Sequence, residues 1–476
     1  MKYFWKIPPD YKGLPEPRIS RVIVIVCCTL AAVFALTIGV VTLDAETRVM
    51  EIMIWRLLVL PVLLVLMVLT TAAIGYLITR GWYAIANEHY RLNRQQWQQH
   101  AAVCIRLAEH HSLFPVDNAA LKMIGLEGEM PSAKDIPRKL SIGEDEEQGL
   151  SRTQQTIKTL MDRLDISMID DRYDRPEVWL YIRNASDSIS EEVVTLLQQS
   201  RPAFSHSDIQ ILSELPERAL LEKWTLEPFS GFRLLIVAEL HADNDDDFCE
   251  YATALLFSRR RSIPDTRMPV WCFRSLNSEQ HRVGKYLNVL FAAEQINPAD
   301  LRHIWTGNLQ GESLNLLSDA FTEVDTGVKS QPWHSMRLAE TWTPGYQWLM
   351  LEWGARAIRN GQRAQLLATH QVKNQQVNLA LISGETRSHT VDDWDQDGGI
   401  FANFKYMLYV LLMMGAEGLV LFISLRNGGW ADARVSGWWF IGGLAFIIIF
   451  VMLIIFLGLY VGRCHQRLIE QYYEYK

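Results

Sequence analysis

Residues 22–79 and 407–461 are almost wholly apolar, whereas residues 81–400 mix apolar and polar positions in short periodic runs. An apolar run of about 20 residues can cross a bilayer as a helix. Four runs qualify: Val22–Leu43, Leu57–Thr79 with Pro61 near its start, Met407–Leu425 and Gly437–Val461. The first exceeds the apolar core of a signal peptide and a second follows it at once, so it reads as an anchor. The pattern predicts transmembrane hairpins over 22–80 and 407–462, with tails at 1–21 and 463–476.

Between the hairpins the periodicity changes. Tyr83, Tyr90, Trp97 and Cys104 recur every seven residues and predict a helix over 82–112 that extends the second span as a stalk. Pro115, Pro131 and Pro137 break the chain, and the acidic stretch 143–149 reads as a solvated loop, so 81–150 is read as stalk and linker. Beyond it, short apolar runs alternate with helical spacings. Strands are expected at Val178–Ile182, Ile209–Leu212, Leu234–Leu240, His303–Trp305, Gln365–Thr369 and Gln376–Ile382, and Ala252–Phe257 and Val270–Phe273 are expected to pair with each other. Helices are expected at Glu191–Gln199, Tyr286–Gln295, Leu314–Glu323 and Tyr346–Arg359, the last ended by Asn360 and Gly361. The alternation predicts an α/β or mixed layered domain over 151–390, joined to the third span by a polar linker at 391–406.

Charge adds an orientation. Basic residues collect in the N-terminal tail (Lys2, Lys6, Lys12, Arg18, Arg21), at the flanks of the central domain (Arg80, Arg91, Arg94, Arg387, Lys405) and in the C-terminal tail (Arg463, Arg467, Lys476). The hairpin loops hold only Arg48, Arg56, Arg426 and Arg434. The bias predicts a multi-pass protein of a bacterial inner membrane with both termini and the large domain cytoplasmic. The net charge of −8 argues against nucleic acid as a partner, and six scattered cysteines suit a reducing compartment.

A resemblance rests on the loops of the second half of the domain. Ile296-Asn297-Pro298-Ala299-Asp300-Leu301 precedes a strand that ends in Ile304-Trp305-Thr306-Gly307-Asn308, a helix follows from Leu314, and Thr343-Pro344-Gly345-Tyr346-Gln347-Trp348 opens the next helix. With the final hairpin through Leu366, Leu379 and Leu381, this order resembles the C-terminal half of thiolases and β-ketoacyl synthases. The resemblance implies a thiolase-like layered domain, helices on mixed sheets, inserted between the two transmembrane hairpins. It also implies a catalytic cysteine at a helix start in the first half and histidines on the two quoted loops. Here Trp305 or Thr306 stands at one histidine position and Gly345 or Tyr346 at the other, and His303 lies two residues too early. Cys249 precedes a strand and Cys272 lies within one. The expectation is therefore a retained fold without catalysis. Trp305, Thr306, Gly307, Asn308, Gly345 and Tyr346 then remain as binding positions, with no cofactor. Membrane-anchored domains of this kind resemble accessory and adaptor proteins of type VI secretion.

Other groupings offer weaker chemistry. Asp393, Asp395 and Asp397 alternate as at the start of a calcium loop, but Phe404 stands where a bidentate glutamate belongs. Asp243, Asp245, Asp246 and Asp247 read as a solvated loop, and Arg259–Arg261 as a turn able to meet anionic headgroups. His100, Cys104 and His111 share a face of the expected stalk, too spread for one metal ion. Glu417 is an intramembrane carboxylate that needs a partner helix. The leading expectation is a non-enzymatic scaffold or adaptor that brings protein partners, secretion-machine components or effectors, to the bilayer, with homo-oligomerisation compatible. The alternatives are an acyl-transfer enzyme with atypical residues and a transporter subunit working through Glu417.

Overall fold

The computed structural model describes residues 5, 20–41, 50–142, 149–170, 174–200, 202–205, 207–227, 229, 231–241, 248–260, 268–309, 311–323, 332–338, 342–371, 375–386, 415, 416 and 418. The chain divides into two compact units: an α/β unit of Met1–Ile7 with Gln96–His389, and a helical unit of Pro8–Gln95 with Thr390–Lys476.

In the helical unit, α1 (Arg21–Val41) is followed by α2 (Met50–Ile54), a π-helical turn (Trp55–Val59) and α3 (Leu60–Ala101). Arg21–Val41 and Trp55–Gly81 are long and apolar enough to cross a membrane. Val22, Ile25, Leu30 and Phe34 of α1 are each more than 60% exposed. α1 passes the π turn at Gly39, where a Cβ would lie 2.7 Å from the Arg56 carbonyl oxygen. Apart from residues 415, 416 and 418, the third and fourth expected spans and the linker before them lie outside the described residues.

The α/β unit is one mixed sheet built twice. Its strands are β1 (Cys104–Leu113), β2 (Glu177–Ile182), β3 (Ile209–Ile211), β4 (Phe232–Glu239), β5 (Tyr251–Ser258), β6 (Val270–Phe273), β7 (Leu276–Glu279), β8 (Leu301–Gly307), β9 (Trp333–Ser335), β10 (Ala364–Gln371) and β11 (Gln376–Ser383). Their order is β3-β2-β4-β5-β1-β6-β11-β10-β8-β9, with β7 also on β11. Counted without β7 and read inward from either edge, each half runs third, second, fourth, fifth, first. In each half the second strand is parallel to its third and fourth, and the fifth is antiparallel to both its neighbours. The helices repeat in step. α4 (Ala119–Met123) is extra; α5 (Arg152–Asp162), α6 (Asp187–Ser200) and α7 (Ala219–Leu226) correspond to α8 (Val283–Ala292), α9 (Glu312–Glu323) and α10 (Tyr346–Arg359). The first half therefore carries the full set of elements.

Strand residues alternate between two cores. Leu234 and Ile236 face α5 and α6, while Leu235 and Val237 face α7 and α10. Leu379 and Leu381 face α8 and α9, while Ala380 and Ile382 return to the α7 and α10 side. A sheet covered on both faces needs near-continuous apolar strands, and β4, β5, β10 and β11 have them. α10 lies in the central layer, so Tyr346–Ala355, Ala357 and Ile358 are all buried. Gly361, at φ 86°, ends it in the left-handed conformation that glycine adopts without strain.

Three expectations are corrected. The stalk helix ends at Ala101, and 104–113 is β1, buried between β5 and β6. The seven-residue recurrence ran on into Cys104 by coincidence, and sheet pairing on both sides overrides it. The linker therefore does not extend to 150, because β1 and α4 already belong to the α/β unit. Ala252–Phe257 and Val270–Phe273 are strands but do not pair with each other, since β1 separates them. α5 went unpredicted, although Ser151 and Gln154 form a full capping box at its start.

Candidate functional site

The two corresponding helices α7 and α10 begin beside each other. The Pro216 carbonyl accepts from Gln347 Nε2 at 3.1 Å and from Trp348 Nε1 at 2.9 Å. Arg218, the residue before α7, donates from its guanidinium to the Gln347 carbonyl at 3.3 Å. The first turn of one helix is thus fastened to the approach of the other, in the core that both halves share.

The quoted loop residues converge on this region. Gly307 ends β8, and a Cβ there would overlap the Trp342 indole and lie 3.1 Å from Thr369 Cγ2. Trp342 in turn stacks edge-on against Tyr346, ring centres 5.3 Å apart. One aromatic side chain therefore fills the space between the two loops. Trp305 is fully buried and donates to Gln365 Oε1 at 3.0 Å; Thr306 donates to the His334 carbonyl at 3.4 Å. Asn308 takes a left-handed φ of 54°, which asparagine tolerates.

Gly345 is enclosed from the other side. A Cβ there would overlap the Tyr251 hydroxyl and stand 2.9 Å from Glu239 Oε1. Tyr251 is completely buried, its hydroxyl has no hydrogen-bond partner among the described residues, and its ring lies 5.4 Å from that of Tyr346. The Tyr346 hydroxyl accepts from the Cys249 N–H at 2.8 Å and donates to the Cys249 carbonyl at 3.1 Å. The Cys249 thiol donates to the Leu338 carbonyl at 3.3 Å.

Protons are held firmly here. Burial pushes the Cys249 thiol up to about 11 and the Cys272 thiol up to about 12. Burial, then the Glu239 charge, raises Tyr251 well above the ordinary phenol range, and burial raises Tyr346 likewise. Burial thus favours the neutral form of both thiols and both phenols. Among the described residues no helix of the first half starts on a cysteine: Asn118 precedes α4, Ser151 caps α5, α6 begins at Asp187 and Arg218 precedes α7.

His303 lies on β8. Its Nδ1 shares a proton with His334 Nε2 at 2.9 Å, and its Nε2 meets Gln362 Oε1 at 3.1 Å. Burial lowers both imidazoles, His334 to about 4. A second buried polar group spans α10 and β1. Glu352 accepts from His110 Nδ1 at 3.1 Å and Ser112 Oγ at 2.6 Å, with Arg356 Nε at 3.3 Å. These partners outweigh burial and bring Glu352 down to about 2.

The remaining candidates disperse. His100 lies on α3, while Cys104 and His111 lie on β1, so the expected helical face does not exist. Among the described residues no group of three or more His, Cys, Asp or Glu is placed to hold a metal ion. Arg259 donates to the Glu227 carbonyl at 3.0 Å and Arg260 pairs with Asp174, so two residues of that basic run serve the fold. Arg261, Asp243, Asp245–Asp247, Asp393, Asp395, Asp397 and Glu417 lie outside the described residues. Arg218, Tyr251, Trp342 and His334 were not legible in the sequence, because none belongs to a motif and each matters through its buried contacts.

No protein-family model and no curated protein matches the chain. Solved structures similar in part include 3-oxoacyl-(acyl-carrier-protein) synthase III from Aquifex aeolicus, at 9% identity, covering 59% of this chain and 99% of that one with a TM-score of 0.34. They also include the SCP2-thiolase-like protein type 1 from Mycobacterium smegmatis, at 8% identity, covering 64% of this chain and 82% of that one with a TM-score of 0.37. Acetamide-bound OleA from Xanthomonas campestri is 9% identical and covers 59% of this chain and 98% of itself, with a TM-score of 0.34. At these values no activity or substrate is carried over from them.

Proposed function

We propose that the chain is a membrane-anchored, catalytically silent thiolase-like domain that serves as a scaffold for protein partners. One observation carries the reading: Trp342 packs between the loop at Gly307 and the helix start at Tyr346, where the resemblance expects histidines around a reactive thiol. The internal duplication supports the thiolase-like part. The apolar spans Arg21–Val41 and Trp55–Gly81 would hold the protein in the bilayer, and the basic residues outside the spans would set the large domain on the cytoplasmic side of a bacterial inner membrane. The third and fourth apolar runs of the sequence complete a four-span anchor in this reading. Partners would be components or effectors of a type VI secretion machine, a reading that rests on the resemblance alone.

Two measurements on the full chain, gently solubilised from membranes, test this. Incubation with acyl-coenzyme A and acyl carrier protein thioesters should give no acyl transfer above the uncatalysed rate. Affinity purification should recover secretion-machine proteins or an exported effector. Acyl transfer that disappears in Cys249→Ala would make the protein an enzyme and end the scaffold reading.

A further inference from the structure

Ahead of α1 the described residues are Trp5 and Ser20, and Trp5 belongs to the α/β unit although Pro8–Gln95 intervenes before that unit resumes. Trp5 packs against the core cluster that contains Trp97, Ala101 and Phe273. The Arg274 guanidinium lies over its ring, 5.4 Å from the ring centre, within the range of a cation–π contact. The indole Nε1 is closed off from water and has no hydrogen-bond partner among the described residues, so the ring and not the N–H holds Trp5 there.

Arg274 is also a residue that fastens the end of α3. Its Nη1 donates to the His100 carbonyl at 3.3 Å and its Nη2 to Glu222 Oε1 at 3.2 Å. Gln295 Nε2 donates to the Ala101 carbonyl at 2.7 Å and to the Arg274 carbonyl at 3.3 Å. Carbonyls in the last turn of a helix lack intrahelical donors, so these side chains supply what α3 cannot. The Arg274 side chain is 8% exposed, and hydrogen bonds screened from water are the stronger ones. Trp5 is part of that screen, because its ring lies against the guanidinium that makes them.

We propose that Arg274 and the core beside it form an intramolecular docking site for the N-terminus of this chain, filled by Trp5, and that the docked ring secures the end of α3. The occupant is the chain's own Trp5, seated there in cis. A further consequence rests on the reading of Arg21–Val41 and Trp55–Gly81 as membrane spans. The chain then crosses and returns between Trp5 and Gln96. Docking therefore puts the N-terminus on the same face of the membrane as the α/β unit by direct contact, independently of the basic residues. With a single crossing, Trp5 could not meet Arg274.

The test replaces Trp5 in the full chain with the photo-crosslinking residue p-benzoylphenylalanine, illuminates it in native membranes and maps the joined peptides. Position 5 should crosslink to peptides carrying Trp97–Ala101 or Trp271–Leu276 of the same copy. Crosslinks to other segments alone, crosslinks found only between two copies, or no crosslink at all overturn docking in cis. Hydrogen exchange of the full chain in detergent reads the effect on α3. In Trp5→Ala the amides of residues 97–102 should exchange at least about threefold faster than in wild type, with those of β4 and α10 unchanged. Trp5→Phe keeps an aromatic face and should restore most of the protection. Equal exchange in wild type and Trp5→Ala overturns the securing role. Sidedness is read separately: in sealed membrane vesicles, protease should reach an N-terminal tag and the α/β unit from the same face. Cleavage from opposite faces overturns the docking. A chain that crosslinks in cis but is recovered outside the membrane fraction keeps the docking and ends the reading of the spans.

Discussion

The Tyr346 hydroxyl both accepts from the Cys249 N–H and donates to the Cys249 carbonyl, so one side chain at the start of α10 satisfies both backbone groups of a residue 97 positions earlier. That closure locks the approach to β5 onto the central helix. Tyr346→Phe leaves two buried backbone groups without partners and should cost about 1–3 kcal/mol. Urea unfolding of the full chain in detergent measures it; an unchanged midpoint would mean water replaces the phenol freely.

Gly345 is held at a close approach by its neighbours and not by its dihedral angles. Gly345→Ala should destabilise by about 1–3 kcal/mol, because the new methyl overlaps the Tyr251 hydroxyl. Tyr251→Phe alone should be neutral or mildly stabilising, since that hydroxyl has no partner among the described residues. The double variant should recover part of the loss. Melting temperatures of the four proteins decide it, and strict additivity would place the strain elsewhere.

Acid should weaken the α/β unit in two stages. His111 and His334 sit at about 4 in the folded protein against an ordinary 6.5, and His110 and His303 are lowered too. The unfolded chain takes up protons first, so stability is complete above about pH 6.5 and falls as pH drops towards 4. Glu352, at about 2 against an ordinary 4.5, contributes stability that is lost as pH falls from 4.5 towards 2. Unfolding midpoints between pH 8 and 3 should decline in that order, and His334→Gln should flatten the first stage. A flat profile from pH 7 to 4.5 would refute the neutral-imidazole assignment.

In the helical unit, Gly39 lets α1 approach the π turn. Gly39→Leu meets the Arg56 carbonyl and the Leu57 side chain, so the two helices must separate. The variant should melt several degrees lower in detergent, with α/β-unit variants as the reference. Wild-type melting would show that this contact is dispensable.

Much of the chain was legible from short-range pattern. The apolar spans, the limits of α10 at Tyr346 and Arg359, and the strands around Leu234, Leu366 and Leu379 all follow from local periodicity and end signals. Such features depend on a helix or strand satisfying its own spacing, and neighbours in sequence supply that information. The loops Trp305–Asn308 and Gly345–Tyr346 were also singled out in sequence, and Trp342 lies against Gly307 of one and Tyr346 of the other.

What bridges them was not legible. Trp342 reads as an unremarkable loop residue, and only the folded chain sets it on Gly307. β1 offered no alternating pattern because it is buried on both faces, and its partners β5 and β6 lie far along the chain. Arg218, within Pro216-Glu217-Arg218, has the local look of a solvated turn. The sequence by itself determined which segments are apolar enough to need a bilayer or a core, since that is a property of the side chains. Tertiary structure alone decided the duplication, the register of β1 and the burial of Arg218, because each depends on contacts that exist only after distant segments have met.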